Sequence, residues 1–233
     1  DYRNATVFKE SLFSRDDQVF HQLNAGINAG QHEGGGKSVE IRRFGFNLDH
    51  GGVNGGLKIL IDNIQQNQGS QGHGQGYLGS LKSLTPELVQ EAQLINGPFS
   101  AQYGDFSGLG VVHIRLRESM PDEFTARMQG GSFNTKRGFF AWSPALTKLD
   151  SFIAYDGSHS DGPFLKALDY RRDYVTANFT RRLDARQSLA FKLNAGRHRF
   201  NSSGQIPLEE VTAGRLDRFG FLDAGDGGRN QSG

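Results

Sequence analysis

The sequence predicts two regions of different fold class: an α+β domain over residues 1–120, then antiparallel β-strands over residues 121–233. Three observations predict this. Glycine makes up 32 of the 233 residues, about twice the usual share of roughly 7%. It clusters with Asn and Gln between short apolar runs, the composition of a turn-rich β protein. A helix start at Thr85-Pro86-Glu87 stands among those runs in the first region, and after Pro121 the apolar residues recur at every second position, the repeat of a strand with two different faces.

In the first region Val7–Phe8 reads as a short strand and Asp16–Asn24 as a helix carrying Val19, Phe20 and Leu23. Gly26–Lys37 reads as loop, Val39–Arg43 as a strand and Asn47–Gly56 as loop. Leu57–Ile64 is a strong strand through Ile59, Leu60 and Ile61, and a Gln/Gly-rich loop, Gln65–Gly76, follows it. Thr85 is placed to cap a helix, with Pro86 at its first position and Glu87 at the positive end of its dipole. That helix is short, because Glu91–Asn96 is extended again. Gly97-Pro98 is a turn, Phe99–Tyr103 a turn or one helical turn, and Gly110–Arg117 a strand through Val111, Val112, Ile114 and Leu116.

In the second region Phe124, Ala126 and Met128 alternate with Thr125, Arg127 and Gln129. Val175, Ala177 and Phe179 alternate with polar neighbours, and so do Leu189, Phe191, Leu193 and Ala195. Arg137–Trp142 and Ser151–Ser158 are aromatic-rich and less regular. About five strands result, each near the ~9–11 residues that cross a bilayer when tilted. Leu146–Asp150 and Leu183–Gln187 are short connections, Asp161–Tyr170 is longer, and Asn201–Gly233 is a polar stretch without periodicity. Short turns at one end and long loops at the other is how outer-membrane barrels are organised.

Composition narrows the function classes. A net charge of +1 gives no footprint for nucleic acid. Zero cysteines exclude a disulfide framework, a thiolate nucleophile and a Cys-based zinc site. No run approaches the ~18 apolar residues of a membrane helix. The mean hydropathy of −0.54 is compatible with a membrane β-barrel, whose strands alternate and therefore average hydrophilic. No signal peptide is visible at Asp1, so a protein that crosses an inner membrane has its N-terminus upstream.

Five segments, in order, resemble one family. Val39-Glu40-Ile41-Arg42-Arg43-Phe44-Gly45 resembles the "IRGF" segment of TonB-dependent receptor plugs, and Leu60-Ile61-Asp62-Asn63-Ile64 resembles "VDGVP". Leu81–Glu91 with Ala92–Leu94 is similar to the "IP…IERIEVL" helix and strand. Asn96-Gly97-Pro98 through Ala101-Gln102-Tyr103-Gly104 is similar to "RGPxSALYG", and Gly108–Ile114 to "GGVINI". Arg43 and Asn63 stand where the family has glycine, and Leu109 splits Gly108 from Gly110; Asn tolerates the positive φ that a turn after Asp62 requires. No TonB box is evident.

The resemblance implies a plug domain (1–120) followed by the N-terminal part of a transmembrane β-barrel (121–233), with about five strands present of an expected ~22. Since single-chain barrels have at least about 8 strands, it implies the front part of a longer protein. It further implies an outer-membrane receptor of a Gram-negative bacterium that binds an extracellular solute and imports it. The implied partners are TonB with its inner-membrane energising complex and outer-membrane lipid; neither a nucleic acid partner nor a cofactor is implied. Asp62, Gly97, Pro98, Tyr103, Gly104, Gly108 and Gly110 are then the structural residues of the plug. Ligand contacts fall on outward plug loops: Arg43, Phe44, Gln65, Gln68, His73, Gln75 and Tyr77. Amides there offer donors and acceptors without charge; the same composition also describes a plain solvated loop.

Other signals are weak. The histidines (His21, His32, His50, His73, His113, His159, His198) show no close ligand spacing, so no metal site is expected. Gly72-His73-Gly74-Gln75-Gly76 lacks the dinucleotide pattern, and no nucleophile elbow or phosphate-loop lysine occurs, so no catalysis is expected. Arg42, Arg43, Arg115 and Arg117 balance Glu40, Glu87, Glu91 and Glu118, as wall-facing pairs or as ordinary surface pairs. Trp142, Phe139, Phe140, Tyr155, Tyr174 and Phe179 are candidates for aromatic girdles. The alternative is a soluble β-rich adhesin or carbohydrate-binding module, which accounts for alternation and polar loops but not for the ordered segments.

Overall fold

The computed structural model describes residues 2–4, 27–31, 37–41, 57–66, 77–78, 84–97, 100–104, 107–108, 110–202, 204, 206–223 and 225–232. The strand expected at Val7–Phe8 and the helix at Asp16–Asn24 lie outside them. The chain divides into two compact units, Asp1–Arg117 and Glu118–Gly233.

The first unit is built on a five-stranded sheet of order β1-β7-β8-β4-β5: β1 (Tyr2–Asn4), β4 (Leu57–Ile61), β5 (Ile64–Gln65), β7 (Val89–Asn96) and β8 (Gly110–Leu116). Only β4 and β8 pair in parallel; the other neighbours are antiparallel. A smaller sheet holds β2 (Ile27–Gln31), β3 (Lys37–Ile41) and β6 (Tyr77–Leu78). Leu57, Ile59, Ala92, Leu94, Val112 and Ile114 form the core with Leu84 and Val89. Each large aliphatic chain buried there contributes about 1.5–3 kcal/mol.

Three sequence expectations are revised in this unit, the first being that Gly26–Lys37, read as loop, carries β2 paired with β3. The run Leu57–Ile64 is not one strand: Asp62 and Asn63 both have positive φ (48° and 70°) and turn the chain between Ile61 and its partner Ile64. Positive φ at both central residues is the type I′ hairpin signature, and Asn is among the residues that adopt it readily. At Pro86–Leu88 the chain makes a single 3-10 turn, and Thr85 closes it with its carbonyl, which accepts from Leu88 N at 3.0 Å, rather than with its side chain.

The second unit is an open antiparallel sheet in chain order: β9 (Phe124–Gly131), β10 (Thr135–Trp142), β11 (Leu149–Ser160), β12 (Tyr170–Arg182), β13 (Ser188–Asn201) and β14 (Gly227–Ser232). The stretch from Asn201, expected to be irregular, contains a short helix α1 (Leu208–Thr212) and β14. β14 is polar and Gly-rich; its pairing with β13 from Gly196↔Ser232 to Asn201↔Gly227 rests on backbone hydrogen bonds, which leave no hydrophobic period to read. No described helix is long and apolar enough to cross a membrane.

Candidate functional site

In the first unit the plug-like motif residues converge on the parallel β4–β8 pair. At one end, Asp62 Oδ1 accepts from Leu116 N at 3.0 Å, while Asp62 N donates to Ile114 O at 2.9 Å. The hairpin is thereby fixed to β8, the central strand of the sheet. At the other end, Lys58 Nζ donates to the Tyr103 carbonyl, and Ser107 Oγ donates to Gly104 O at 2.8 Å. Gly104 has φ 61°, and a Cβ on Gly110 (φ 154°) would lie 2.6 Å from Ile95 O of β7. Only glycine fits there, because the clashing atom is backbone in a paired strand.

Asp62, Tyr103, Gly104 and Gly110 are therefore brought together; Gly97 (φ 79°) ends β7, and Gly108 is exposed. Of the expected ligand contacts, Gln65 is exposed on β5 opposite Leu60, and Tyr77 lies in β6 opposite Ser38. Arg43, Phe44, Gln68, His73, Gln75 and also Pro98 lie outside the described residues. Arg115 pairs with Glu91 at 3.4 Å, and Arg117 Nε donates to Glu87 O at 3.1 Å.

Sequence reading missed Lys58 and His113. His113 is buried, its Nε2 has no hydrogen-bond partner among the described residues, and it pairs across the sheet with Leu60 and Gln93. Burial, with Arg115 adding to it, holds the imidazole below its ordinary value of 6.5, while Asp62 and Glu91 pull it upward.

In the second unit the order of faces is inverted relative to a soluble sheet. Phe124, Met128, Trp142, Ile153, Tyr155, Val175, Phe179, Phe191 and Leu193 are exposed. On the opposite parity, Asp156, Arg172, Thr176, Asn178 and Thr180 are buried beside Phe139, Phe152 and Tyr174. The girdle expectation is corrected for two residues: Phe139 (0% exposed) and Tyr174 (8%) belong to the buried face. Adjacent residues of a strand point to opposite sides, so Phe139 and Phe140 cannot share one. The Tyr174 ring instead fills the space over Gly196, where a Cβ would meet it at 2.0 Å.

The buried face holds a charge cluster. Asp156 accepts from Arg137 Nε at 3.0 Å and Nη2 at 2.9 Å, and from Arg172 Nη2 at 2.8 Å. Arg137 Nη1 also donates to Gln129 at 3.2 Å. Nearby, Asn178 Nδ2 donates to Glu118 O at 2.8 Å, and Ser143 Oγ links Met120 N to Ser151 O. At the long-loop end, His159, Asp161 and Asp169 offer ligand atoms within 4.8 Å of one another. Asn134 bonds His159 and Asp161, and Arg171 and Arg199 bond Asp169, so a neutral amide serves Asp161 and two guanidiniums serve Asp169.

A sheet whose apolar face is exposed and whose buried face is polar and charged has the order of faces of a membrane-spanning β-barrel wall. Residues 11–111 match the family described as TonB-dependent Receptor Plug Domain. Residues 11–111 are thus similar to such a plug, and antiparallel strands in an open sheet follow them. Among solved structures it is similar to the ferric-catecholate import receptor Fiu of E. coli K12, with a TM-score of 0.63, 16% identity, and coverage of 96% of this chain and 32% of that one. It is similar to the siderophore receptor PirA of Acinetobacter baumannii, with a TM-score of 0.62, 14% identity, and coverage of 88% and 32%. The ferric enterobactin receptor PfeA of Pseudomonas aeruginosa, mutant R480A in complex with enterobactin, gives a TM-score of 0.58, 16% identity, and coverage of 86% and 33%. At these identities the likeness is one of fold. The chain spans about a third of the length of the receptors it matches. No curated protein matches the sequence.

Proposed function

We infer that residues 1–120 form the plug and residues 121–233 the first barrel strands of a receptor in the outer membrane of a Gram-negative bacterium. The receptor binds a solute outside the cell and imports it into the periplasm, powered by TonB; it is a transporter and not an enzyme. The observation that carries this reading is the inverted order of faces in the β9–β14 sheet of a chain that also carries the plug. A soluble adhesin or carbohydrate-binding module would bury Trp142, Phe179, Phe191 and Leu193 instead of presenting them together. In this reading the short connections 143–148 and 183–187 face the periplasm, and the longer ones, 161–169 and 202–226, face outward.

Within the plug, Asp62, Gly97, Pro98, Tyr103, Gly104, Gly108 and Gly110 hold the sheet, and the outward loops present Arg43, Phe44, Gln65, Gln68, His73, Gln75 and Tyr77 to the solute. The three receptors named above are a siderophore receptor, a ferric enterobactin receptor and a ferric-catecholate import receptor, so ferric enterobactin is the first cargo to try. The test is uptake of radiolabelled ferric enterobactin, then other ferric chelates and sugars, by cells expressing the intact receptor with and without TonB. Binding without TonB and uptake only with it is the expected result. Recovery of the receptor as a soluble protein, or uptake indifferent to TonB, overturns the reading.

A further inference from the structure

We propose that Ser143 and Asn178 are positioning residues for transport: they clamp the chain segment 118–123 to the buried face of strands β10–β12, and the clamp holds while the plug rearranges. The inference rests on the transporter reading above and adds to it the place about which the plug turns.

Residues 118–123 form neither helix nor strand, so their backbone polar groups need partners from elsewhere. The second unit's sheet supplies them. Ser143, one residue past β10, grips the segment twice: its N donates to Glu123 O at 2.8 Å, and its Oγ accepts from Met120 N at 2.9 Å. The same hydroxyl donates its proton to Ser151 O of β11 at 2.7 Å, which fixes its orientation. From β12, Asn178 Nδ2 donates to Glu118 O at 2.8 Å and to Thr180 Oγ1 at 3.0 Å.

These bonds are kept from water. Asn178 is 1% exposed, Ser151 and Thr180 2%, and Ser143 5%. Met120 is buried as well, although it lies in an irregular stretch. A buried polar network loses all of a broken bond, because no solvent partner replaces it. Pro121 adds stiffness: its ring fixes its own φ, and it biases Met120 toward extended backbone.

On the N-terminal side the bonds belong to the first unit. Arg117 N donates to Leu88 O at 2.8 Å, and Arg117 Nε donates to Glu87 O. The two sets of bonds part at the Arg117–Glu118 peptide, where the only soft dihedrals between them lie. Chain length then limits what the clamp allows. With Glu118 held, Leu116 at the end of β8 stays within two residue lengths of it, roughly 7 Å. Without the clamp, the six residues 118–123 would add about 20 Å of reach. A plug that opens a wide path therefore turns about this peptide or unravels from its N-terminal side, with its C-terminal end in place.

The test has two arms, both on the intact receptor. In the first, the receptor in a phosphatidylcholine bilayer is pulled from its N-terminus in a force microscope. The expected trace holds a separate step of about 20 Å, six residues at ~3.3–3.6 Å each, after the plug strands are drawn out and before β9 yields. Ser143→Ala combined with Asn178→Ala should lose that step, and Ser143→Thr, which keeps the hydroxyl, should retain it. A wild-type trace without the step, or a step that survives the double alanine variant, overturns the proposal. In the second arm Met120→Cys and Ser143→Cys are combined in a stretch of chain that has no cysteine of its own, and the pair is oxidised in cells. Uptake of ferric enterobactin driven by TonB should be equal in the oxidised and reduced receptor, because the disulfide makes permanent a contact that transport never breaks. Uptake lost on oxidation and restored by a reductant overturns the proposal. A wild-type receptor without TonB-driven uptake of any solute tried sinks the transporter reading; the force arm needs no cargo and decides the clamp by itself.

Discussion

Replacing Leu193 by arginine separates the membrane reading from every soluble one. Leu193 lies between Phe191 and Ala195 on the outward parity of β13, pairs with Ala177 across the sheet, and is 45% exposed. The apolar run Leu189–Phe191–Leu193–Ala195 covers six residue steps of a strand, roughly 20 Å at ~3.3 Å each, so Leu193 is near the middle of the band. In a bilayer an arginine near the midplane costs about 2–4 kcal/mol, equivalent to a factor of roughly 30 to 1,000 in the folding equilibrium. In water the same exposed substitution stays within about 0.5 kcal/mol. The assay is reversible urea unfolding of the intact receptor in phosphatidylcholine vesicles, with Asn194→Arg as the control on the other parity. A midpoint for Leu193→Arg equal to wild type, or a drop no larger than that of Asn194→Arg, refutes the assignment of faces.

Gly110→Ala should destabilise the plug by about 2–4 kcal/mol, since a methyl 2.6 Å from Ile95 O must force β7 and β8 apart from a backbone conformation that favours glycine; faster hydrogen exchange in β7 and β8 checks it, and unchanged exchange would contradict it. Asp62→Ala should cost about 1–2 kcal/mol through the lost bond to Leu116 N, read from the same amides. Asp156→Ala leaves Arg137 and Arg172 buried without their shared carboxylate, at about 3–5 kcal/mol; a urea midpoint like that of wild type would rule this out. The folded plug binds a proton at His113 more weakly than the unfolded chain does, so its contribution is complete above pH 6.5 and declines as the pH falls below that value toward the lowered folded pKa. Protection factors in β8, taken relative to the intrinsic exchange rate at each pH, should fall from pH 7.5 downward in wild type and stay flatter in His113→Asn; parallel profiles would dismiss the effect.

Much of the fold is legible because it is written in local periodicity. Val111, Val112 and Ile114 announce β8, and the alternation of Leu189, Phe191 and Leu193 announces β13. Asn63 announces its own turn through its tolerance of positive φ. Alternation states that a strand has two faces, however, and not which face meets solvent; that is why sequence alone groups Phe139 and Tyr174 with Phe140 and Tyr155 on the wrong side. β14 is hidden because Gly227–Ser232 carries no hydrophobic pattern. The Asp156 cluster depends on which residues face each other across strands, and register is a property of pairs of segments. For Arg43, Phe44, Gln68, His73 and Gln75 the assignment to outward loops rests on the sequence.

The position of β1 has a mechanical consequence. It lies at the edge of the five-stranded sheet and meets β7 through three residue pairs, Tyr2↔Gln93, Arg3↔Ala92 and Asn4↔Glu91. The packed interior belongs to the strands beyond it: Leu57 and Ile59 on β4, Leu94 on β7, Val112 and Ile114 on β8. A load applied at the N-terminal end of the chain is therefore taken first by this short ladder. Stripping it leaves β7, β8 and β4 laced together by their full registers and by the Asp62 and Lys58 bonds. The sheet is graded along its width like a seam with a sacrificial first stitch, yielding at its margin before tension reaches its centre.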